Sequence, residues 1–371
     1  MANQIIEAHQ EQTSTISRVN VPPAQTWNYL RINDLSFEVP TPHFVGDVYA
    51  RLPRMFEGVE CGIGDEAATW IVRASGDARF VEVKAGEQRE QPIYVDIDAS
   101  ATEVRDTGVL VRTGASATIV TCAHGCEGDT SASLLRVVAE RDARVTIIEL
   151  VACGSGQQHL DAIGIDAAEG ARIDMRQYAL GGSRVALGLA CSLAGTGARF
   201  ALDSRYLASG RDVLDVNHVV RQRGRVTRSD IVTTGILADA ARKTMRETID
   251  LVHGAKGAEG SEIETVLVTG DEVVNKTLPV ILCDEEDVAG NHGASIGAIS
   301  PEQLGFLSSR GLSDDVAERL FARALFDDAL IHADVAEARQ AVLARATEVL
   351  GIDVARDIAE VLDIDFEEAS C

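Results

Sequence analysis

A repeat of 27–28 residues runs through residues 114–202 of this chain and limits which folds it can adopt. Each repeat begins with a turn and continues as a short strand in which apolar and polar residues alternate. The equivalent alanines are 28, 28 and 27 residues apart, at Ala115, Ala143, Ala171 and Ala198. A fixed period of this length is typical of a solenoid, in which each coil buries its apolar face by stacking on the next. Four chance copies of a common turn-and-strand pattern are the alternative.

The distribution of prolines supports one continuous β region. The chain has eight prolines, and none lies between Pro92 and Pro279. Proline is excluded from the interior of a hydrogen-bonded sheet, whereas glycine serves tight corners and bulges. The proline-free stretch is rich in Gly, Val, Ile and Thr. We therefore expect a mainly β fold with a parallel β-helix over residues 76–300.

The two ends of the chain differ from this middle region. Residues 312–371 contain no proline, one glycine and thirteen alanines. Their apolar residues recur at helical spacing, as at Val316, Leu320 and Ala324, and Gly351 is placed to end one helix before the next begins. The pattern predicts a helical segment over residues 301–371. Residues 1–75 are expected to form a partly helical lead-in.

Composition excludes several classes of partner. With 34 basic and 58 acidic residues the net charge is −24, which repels nucleic-acid phosphates and anionic membranes. Aromatic residues make up only 4%, too few for stacked bases or sugars. The seven cysteines do not form the pattern of a disulfide scaffold, so we expect a protein of the reducing cytoplasm. No apolar run is long enough to span a membrane.

The sequence contains no strong signature of an enzyme. The glycine-rich stretch 254–260 lacks the Lys-Ser/Thr ending of a phosphate-binding loop. Neither a GxSxG elbow nor an HExxH helix is present. The chain is therefore predicted not to be an enzyme.

Two clusters in the sequence contain residue types that can bind metals. Cys122, His124 and Cys126 would share one face of a strand and could ligate zinc or iron. Incidental thiols at a strand edge are an equal alternative. Cys283, followed by four acidic residues and by His292, gathers a thiol, carboxylates and an imidazole where the β region ends. A lone histidine is more often a structural residue than a ligand, so this pattern alone does not decide the chemistry.

Around this second cluster the chain resembles the SufB/SufD family, the scaffold subunits of SUF-type iron–sulfur cluster assembly. The resemblance rests on Pro279, the run Asn-His-Gly-Ala-Ser-Ile-Gly at 291–297, the run at 302–313 that includes Ser-Ser-Arg-Gly-Leu, the Asn-His pair at 217–218, Gly-Ile-Leu at 235–237 and Thr-Trp-Asn-Tyr-Leu at 26–30. It implies a right-handed parallel β-helix flanked by helical segments. That architecture agrees with the period read from the alanines.

The resemblance also implies partners. The helical C-terminal part would bind SufC, the ABC-type ATPase of the system, and ATP hydrolysis would belong to that subunit. A SufB- or SufD-type paralogue, or a second copy of this chain, would dock on the end of the β-helix. Together they would build or transfer a transiently held iron–sulfur cluster.

The same resemblance suggests cluster ligands. SufB-type chains carry a cysteine in the string Thr-Gln-Cys-Asp-Ser-Leu-Leu, and counting fifteen residues back from Pro279 places Glu264 there. This departure favours a SufD-like or shorter SufB/SufD-like branch. His292 matches the histidine that SufD contributes at the subunit interface, and Cys283 could supply the thiolate. The expected ligands are therefore Cys283, His292 and Glu264, with Cys122, His124 and Cys126 next.

Two other functions remain open at this point. A β-helix carbohydrate-active enzyme needs paired carboxylates along a groove, usually with aromatic residues, which are scarce here. A structural partner of the ATPase that holds no cluster would need only the helical surface.

Overall fold

In a computed structural model, two long parallel sheets form the centre of the molecule. The structure describes residues 13–24, 30–42, 49–125, 130–298 and 301–366, and describes the backbone alone at 301, 303, 304, 314, 315, 317 and 318. Cys126 and four residues of the run at 26–30 lie outside the described residues.

The elements follow one another as strands and then helices. The strands are β1 (Thr13–Ile16), β2 (Phe37–Pro40), β3 (Arg79–Val83), β4 (Ile93–Asp98), β5 (Val104–Val111), β6 (Ser116–Gly125), β7 (Thr130–Ala139), β8 (Arg144–Cys153), β9 (Gln158–Ala167), β10 (Arg172–Gly181), β11 (Arg184–Leu193), β12 (Arg199–Ala208), β13 (Val213–Gln222), β14 (Arg228–Leu237), β15 (Arg242–Leu251), β16 (Ala258–Val268), β17 (Val274–Cys283) and β18 (Val288–Gly297). The helices are α1 (Asp65–Ala74), α2 (Pro301–Ser308), α3 (Asp314–His332), α4 (Ala336–Leu350) and α5 (Ile352–Val361).

The strands from β3 onward alternate between the two sheets. Sheet 1 contains the odd strands β3 to β17 and sheet 2 the even strands β4 to β18, and each strand pairs in parallel with the strand two places away. The chain therefore winds as a parallel β-solenoid of about eight coils, which confirms the predicted fold class. The four repeat alanines stand directly before β6, β8, β10 and β12 and are buried at the corners.

Alternation of side chains explains why these segments form strands. In each strand every second residue points into the solenoid, where Ile119, Ile147 and Met175 lie in register on successive coils. Stacking removes these apolar side chains from water, which a single coil cannot do alone. The interior core therefore runs the length of the solenoid.

The outer faces of the two sheets have different covers. The N-terminal segment with α1 packs on sheet 1, and its approach requires glycine at Gly188, where a Cβ would lie 2.3 Å from the backbone nitrogen of Ile63. Helices α3, α4 and α5 pack on sheet 2, where Phe326 and Val342 join the outward side chains of β6, β8 and β10. These covers bury both faces of the middle coils.

The C-terminal helices follow the predicted order. Gly351 adopts a φ of 92° between α4 and α5, so it ends one helix and precedes the next as its position suggested. Within the described residues, no helix combines the length and the apolar character that crossing a membrane requires.

The last coil, formed by β17 and β18 and called the terminal coil below, is covered less: the Lys276 ammonium on β17 donates to the carbonyl oxygens of Leu30 and Arg31. Most residues of β18 are exposed and most of β17 are half-buried. Its interior-facing side chains have a preceding coil on one side, whereas the described residues place no further coil on the other. This open end of the solenoid contains two of the predicted site residues.

Candidate metal and cluster site at the open end of the solenoid

Cys283 and His292 both belong to the interior-facing rows of the terminal coil. Cys283 pairs in register with the interior residue Leu251, and His292 pairs with Glu262. The Cys283 thiol is exposed and donates to the carbonyl oxygen of Glu285 at 3.2 Å. The His292 side chain is 49% exposed. Both groups are accessible because no further coil covers them in the described part of the chain.

Glu264 lies one coil deeper and is buried. Its carboxylate accepts from the Lys243 ammonium at 2.5 Å and from the Tyr206 hydroxyl at 3.0 Å. Burial lowers the pKa of Lys243, although the neighbouring Glu264 carboxylate opposes that shift. One oxygen of Glu264 is thus engaged in a buried ion pair, and its other oxygen, Oε2, has no hydrogen-bond partner.

Glu262 was missed by the sequence reasoning, although it faces the same interior two residues before Glu264. Both of its carboxylate oxygens are buried without a hydrogen bond. The His292 imidazole lies beside it, with 3.8 Å between Glu262 Oε1 and His292 Nδ1. Burial, reinforced by the carboxylates of Glu247 and Glu264, raises the pKa of Glu262 to about 9. Its alternation with Glu264 on one strand was the signal that could have identified it.

A column of polar side chains continues inward from this end. Thr233, Ser204, Gln177, Glu149 and Thr121 occupy the same register position on successive strands of sheet 2. Gln177 donates to Glu149 Oε2 at 2.7 Å and accepts from Ser204 at 2.7 Å. The solenoid interior therefore contains a column of hydrogen-bonded polar side chains beside its apolar core.

His218 joins this column to the acidic end. Its Nε2 lies 3.0 Å from Gln177 Oε1, and its Nδ1 lies 3.3 Å from Glu247 Oε1. Glu247 also accepts from the Thr233 hydroxyl at 2.7 Å. Both ring nitrogens of His218 therefore have hydrogen-bond partners inside the solenoid.

The first cysteine cluster has a different environment. Cys122 is buried between sheet 2 and the C-terminal helices, where burial raises the pKa of its thiol. His124 lies on the same outer face, with its Nε2 3.0 Å from Asp96 Oδ1. The His124 and Asp96 side chains border a cavity of about 490 Å³ beside α4. Cys126 lies outside the described residues, so its part in such a site stays a prediction.

The described members of the two clusters do not form a complete metal site. Across the residues that the structure describes, no three His, Cys, Asp or Glu side chains converge closely enough to hold a metal ion. Cys283 and His292 share the terminal coil, whereas Glu264 is bound to Lys243 in the coil below. The ligand set Cys283, His292 and Glu264 therefore stays a prediction that needs a partner subunit or a rearrangement.

Comparison with known proteins identifies the family. Residues 95–325, more than half of the chain, match the family model described as SUF system FeS cluster assembly, SufBD core domain. An iron-sulfur cluster assembly protein SufD of Bacillus subtilis is 33% identical over 97 residues, which cover 26% of this chain and 22% of the relative. A SufBD family protein of Mycobacterium tuberculosis is 23% identical over 312 residues, covering 81% of this chain and 77% of the relative.

Coverage differs among these relatives. A SufBD family protein of Staphylococcus saprophyticus is matched over only 28% of its length. The family model, in contrast, spans the solenoid from β4 to β18 and continues into α3. The chain belongs to the SufBD family of iron–sulfur cluster assembly proteins.

Proposed function

We propose that the chain is a non-enzymatic scaffold subunit of a SUF-type complex that builds or transfers iron–sulfur clusters. The observation that carries this proposal is the open terminal coil, which presents an exposed Cys283 thiol and places the His292 imidazole beside the buried Glu262 carboxyl group. The cluster is cargo in this proposal, held transiently at Cys283 and His292 with Glu264 as a third ligand. Imidazole and carboxylate ligands hold a cluster less firmly than thiolates alone, which suits release.

A paired subunit is the first partner in this proposal. Strands β17 and β18 are the last strands of their sheets in the described chain, so their outer backbone groups are available for pairing. A SufB/SufD-type paralogue or a second copy of this chain would add strands there and supply the missing ligands. Ile296, 53% exposed on β18, would become buried in that contact.

A SufC-type ATPase is the second partner. Phe306 on α2 and Leu320 and Phe321 on α3 are exposed apolar side chains. Within the division predicted from the sequence, residues 1–75 form the partly helical lead-in, 76–300 carry the cluster site and 301–371 bind the ATPase. The complex would work in the cytoplasm. ATP hydrolysis belongs to the partner, because the sequence has no phosphate-binding loop.

The ATPase contact is best tested with single substitutions. Deleting residues 313–371 would also uncover Val120 and Leu150 on sheet 2, so loss of binding could reflect unfolding. Leu320→Glu and Phe321→Glu change only exposed positions. Each should reduce co-purification with the ATPase at least several-fold while thermal unfolding stays unchanged. Unchanged co-purification would contradict this part of the proposal.

Cluster loading is tested in the reconstituted complex. The chain, its paralogue and the ATPase are incubated anaerobically with ferric iron, a thiol reductant and sulfide, and bound iron, sulfide and visible absorption are measured. Cys283→Ser and His292→Ala should each lower loading several-fold. His253→Ala alters an exposed histidine at a solenoid corner and should have no effect.

The results separate the remaining functions. A complex that never loads a cluster, yet retains the ATPase, supports a structural partner without a cluster. Loading that is unaffected by both variants moves the site elsewhere, with Cys122, His124 and Cys126 next. Family membership favours either role over a carbohydrate-active enzyme.

A further inference from the structure

Glu262 is a buried carboxyl group without a hydrogen-bond partner. The residue is 1% exposed, and neither Oε1 nor Oε2 has a hydrogen bond. Leaving a buried polar group unpaired costs free energy, and such groups in proteins are nearly always satisfied by protein, water or an ion. Glu262 therefore requires a ligand or partner that the chain alone does not supply.

The neighbouring carboxylates already have partners. Glu264 is paired with the buried Lys243 ammonium, and Glu247 accepts from Thr233 and lies against His218. The ammonium of Lys243 donates to Glu264 and to the hydroxyl of Thr277. Of these three buried acids, Glu262 is therefore the one without a hydrogen-bond partner, and it faces the open coil.

His292 is placed to share an ion with Glu262. The 3.8 Å between Glu262 Oε1 and His292 Nδ1 is too long for a hydrogen bond. With metal–ligand bonds of about 2.1 Å, this separation corresponds to an oxygen–metal–nitrogen angle of about 130°. The imidazole is half-exposed, so an ion can reach the pair from solvent through the open end.

We propose that Glu262 and His292 bind one divalent transition-metal ion at the open end of a single chain, with ferrous iron as the natural one. Carboxylate and imidazole donors suit iron(II), manganese(II), cobalt(II) and zinc(II). Only two side chains of the described residues contribute, so the other coordination positions are left to water, sulfide or a partner's ligand. The choice of iron rests on the proposed function, whereas the binding of a divalent ion does not.

The test measures metal binding by the tag-free chain without partners. Cobalt(II) is titrated anaerobically, with visible absorption reporting coordination and equilibrium dialysis giving the stoichiometry, and the titration is repeated with iron(II). The parent should bind one ion. Glu262→Gln, which keeps the shape of the side chain, should weaken binding at least tenfold, and His292→Ala should do the same.

Matched variants guard against trivial effects. Glu259→Gln lies on the same strand but is exposed and paired with Arg228, so it should bind like the parent. Glu262→Asp keeps a carboxyl group that a metal ion can bind and should bind more tightly than Glu262→Gln. Thermal unfolding of each variant establishes that the solenoid is intact. Parent-like binding by Glu262→Gln, or no ion bound by the folded parent, would overturn the inference.

Cluster reconstitution distinguishes this inference from the proposed function. If the parent binds no single ion but its complex loads clusters normally, the inference fails and the scaffold function stands. If the parent binds one ion through Glu262 and no complex loads a cluster, the metal site stands and the scaffold function fails.

Discussion

Strands β10 and β18 both contribute ten residues to sheet 2, yet their environments are opposite. β10 buries most of its residues between the coils on either side and the helices outside it. Among the described strands β18 contacts a coil on one side, and nearly all of its residues are exposed. The composition of β18 fits this exposure, because its three glycines and two alanines leave little apolar surface to bury.

The contrast shows that burial in a solenoid is supplied by neighbours and not by the strand itself. A middle coil is stabilised by two stacking contacts and by outer covers, whereas the terminal coil has one stacking contact among the described residues. The terminal coil can therefore carry exposed thiol and imidazole groups with little effect on stability. The charged interior of the coil just before it, with Lys243 and Glu264, is the transition between the two regions.

The largest effect is expected from Lys243→Met, which leaves Glu264 as a buried charge without its partner. We expect the free energy of unfolding to fall by about 3–5 kcal/mol, measured by denaturant titration. Lys243→Met combined with Glu264→Met should recover much of that loss. Arg228→Met breaks a half-exposed pair with Glu259 on the outer surface and should cost at most about 1 kcal/mol. Equal losses for Lys243→Met and Arg228→Met would refute the distinction.

A smaller effect is expected from trimming isoleucines in sheet 2. Ile147→Ala in β8 removes a fully buried side chain and should lower the free energy of unfolding by about 2–5 kcal/mol. Ile296→Ala in β18 should cost less than about 1 kcal/mol in the isolated chain, because half of that side chain is already in water. Both are measured by denaturant unfolding. A comparable loss at the two positions would show that the terminal coil is covered.

The pH dependence of stability separates buried from exposed acids. Burial, with help from Asp161, raises the pKa of Glu149, so the folded state retains a proton that the unfolded chain releases above about pH 4.3. Stability should therefore fall as pH rises from about 5 towards the folded pKa. Glu149→Gln should flatten this slope by up to about 1.4 kcal/mol per pH unit.

The control for the pH experiment is Glu285→Gln in the terminal coil. Glu285 is exposed, and its carboxylate accepts from the backbone amide of Gly254, which lowers its pKa. The variant should leave the slope between pH 5 and 8 unchanged. If the unfolding free energies of the parent and of Glu149→Gln rise equally between pH 5 and 8, Glu149 is not buried in its neutral form.

The smallest change in stability is expected from Cys283→Ser, within about 0.5 kcal/mol, because the thiol is exposed. Because its thiol is exposed, Cys283 should react with an alkylating reagent faster than Cys122, Cys153 and Cys191. Burial raises the pKa of the other three thiols, so they should react only on unfolding. Alkylation followed by peptide mass spectrometry measures each rate, and rapid labelling of Cys153 in the folded chain is the contrary result.

Much of the fold was predictable because its signals are local. The repeat alanines mark corners that tolerate only small side chains, and the missing prolines mark strands that need every backbone donor. Gly351 marks a helix boundary through its own backbone conformation. Resemblance at residues 291–297 and 302–313 then indicated the family, which the match over residues 95–325 confirms.

The candidate site was predictable only in part. Cys283 and His292 could be found as a thiol and an imidazole near the end of the β region. The partners of Glu264 could not, because Lys243 and Tyr206 lie 21 and 58 residues earlier in the chain. Glu149 is a related case, since within its apolar run nothing local indicates that Gln177 donates to it.

The period, the strand alternation, the helical tail and the family could all be read from the order of residues. These depend on which residues fit a corner, a pleat or a helix turn, which neighbours along the chain decide. The tertiary structure decided which acids are buried, which are paired and which coil stays open. Those properties depend on groups brought together across the solenoid interior, where removal from water makes each missing partner costly.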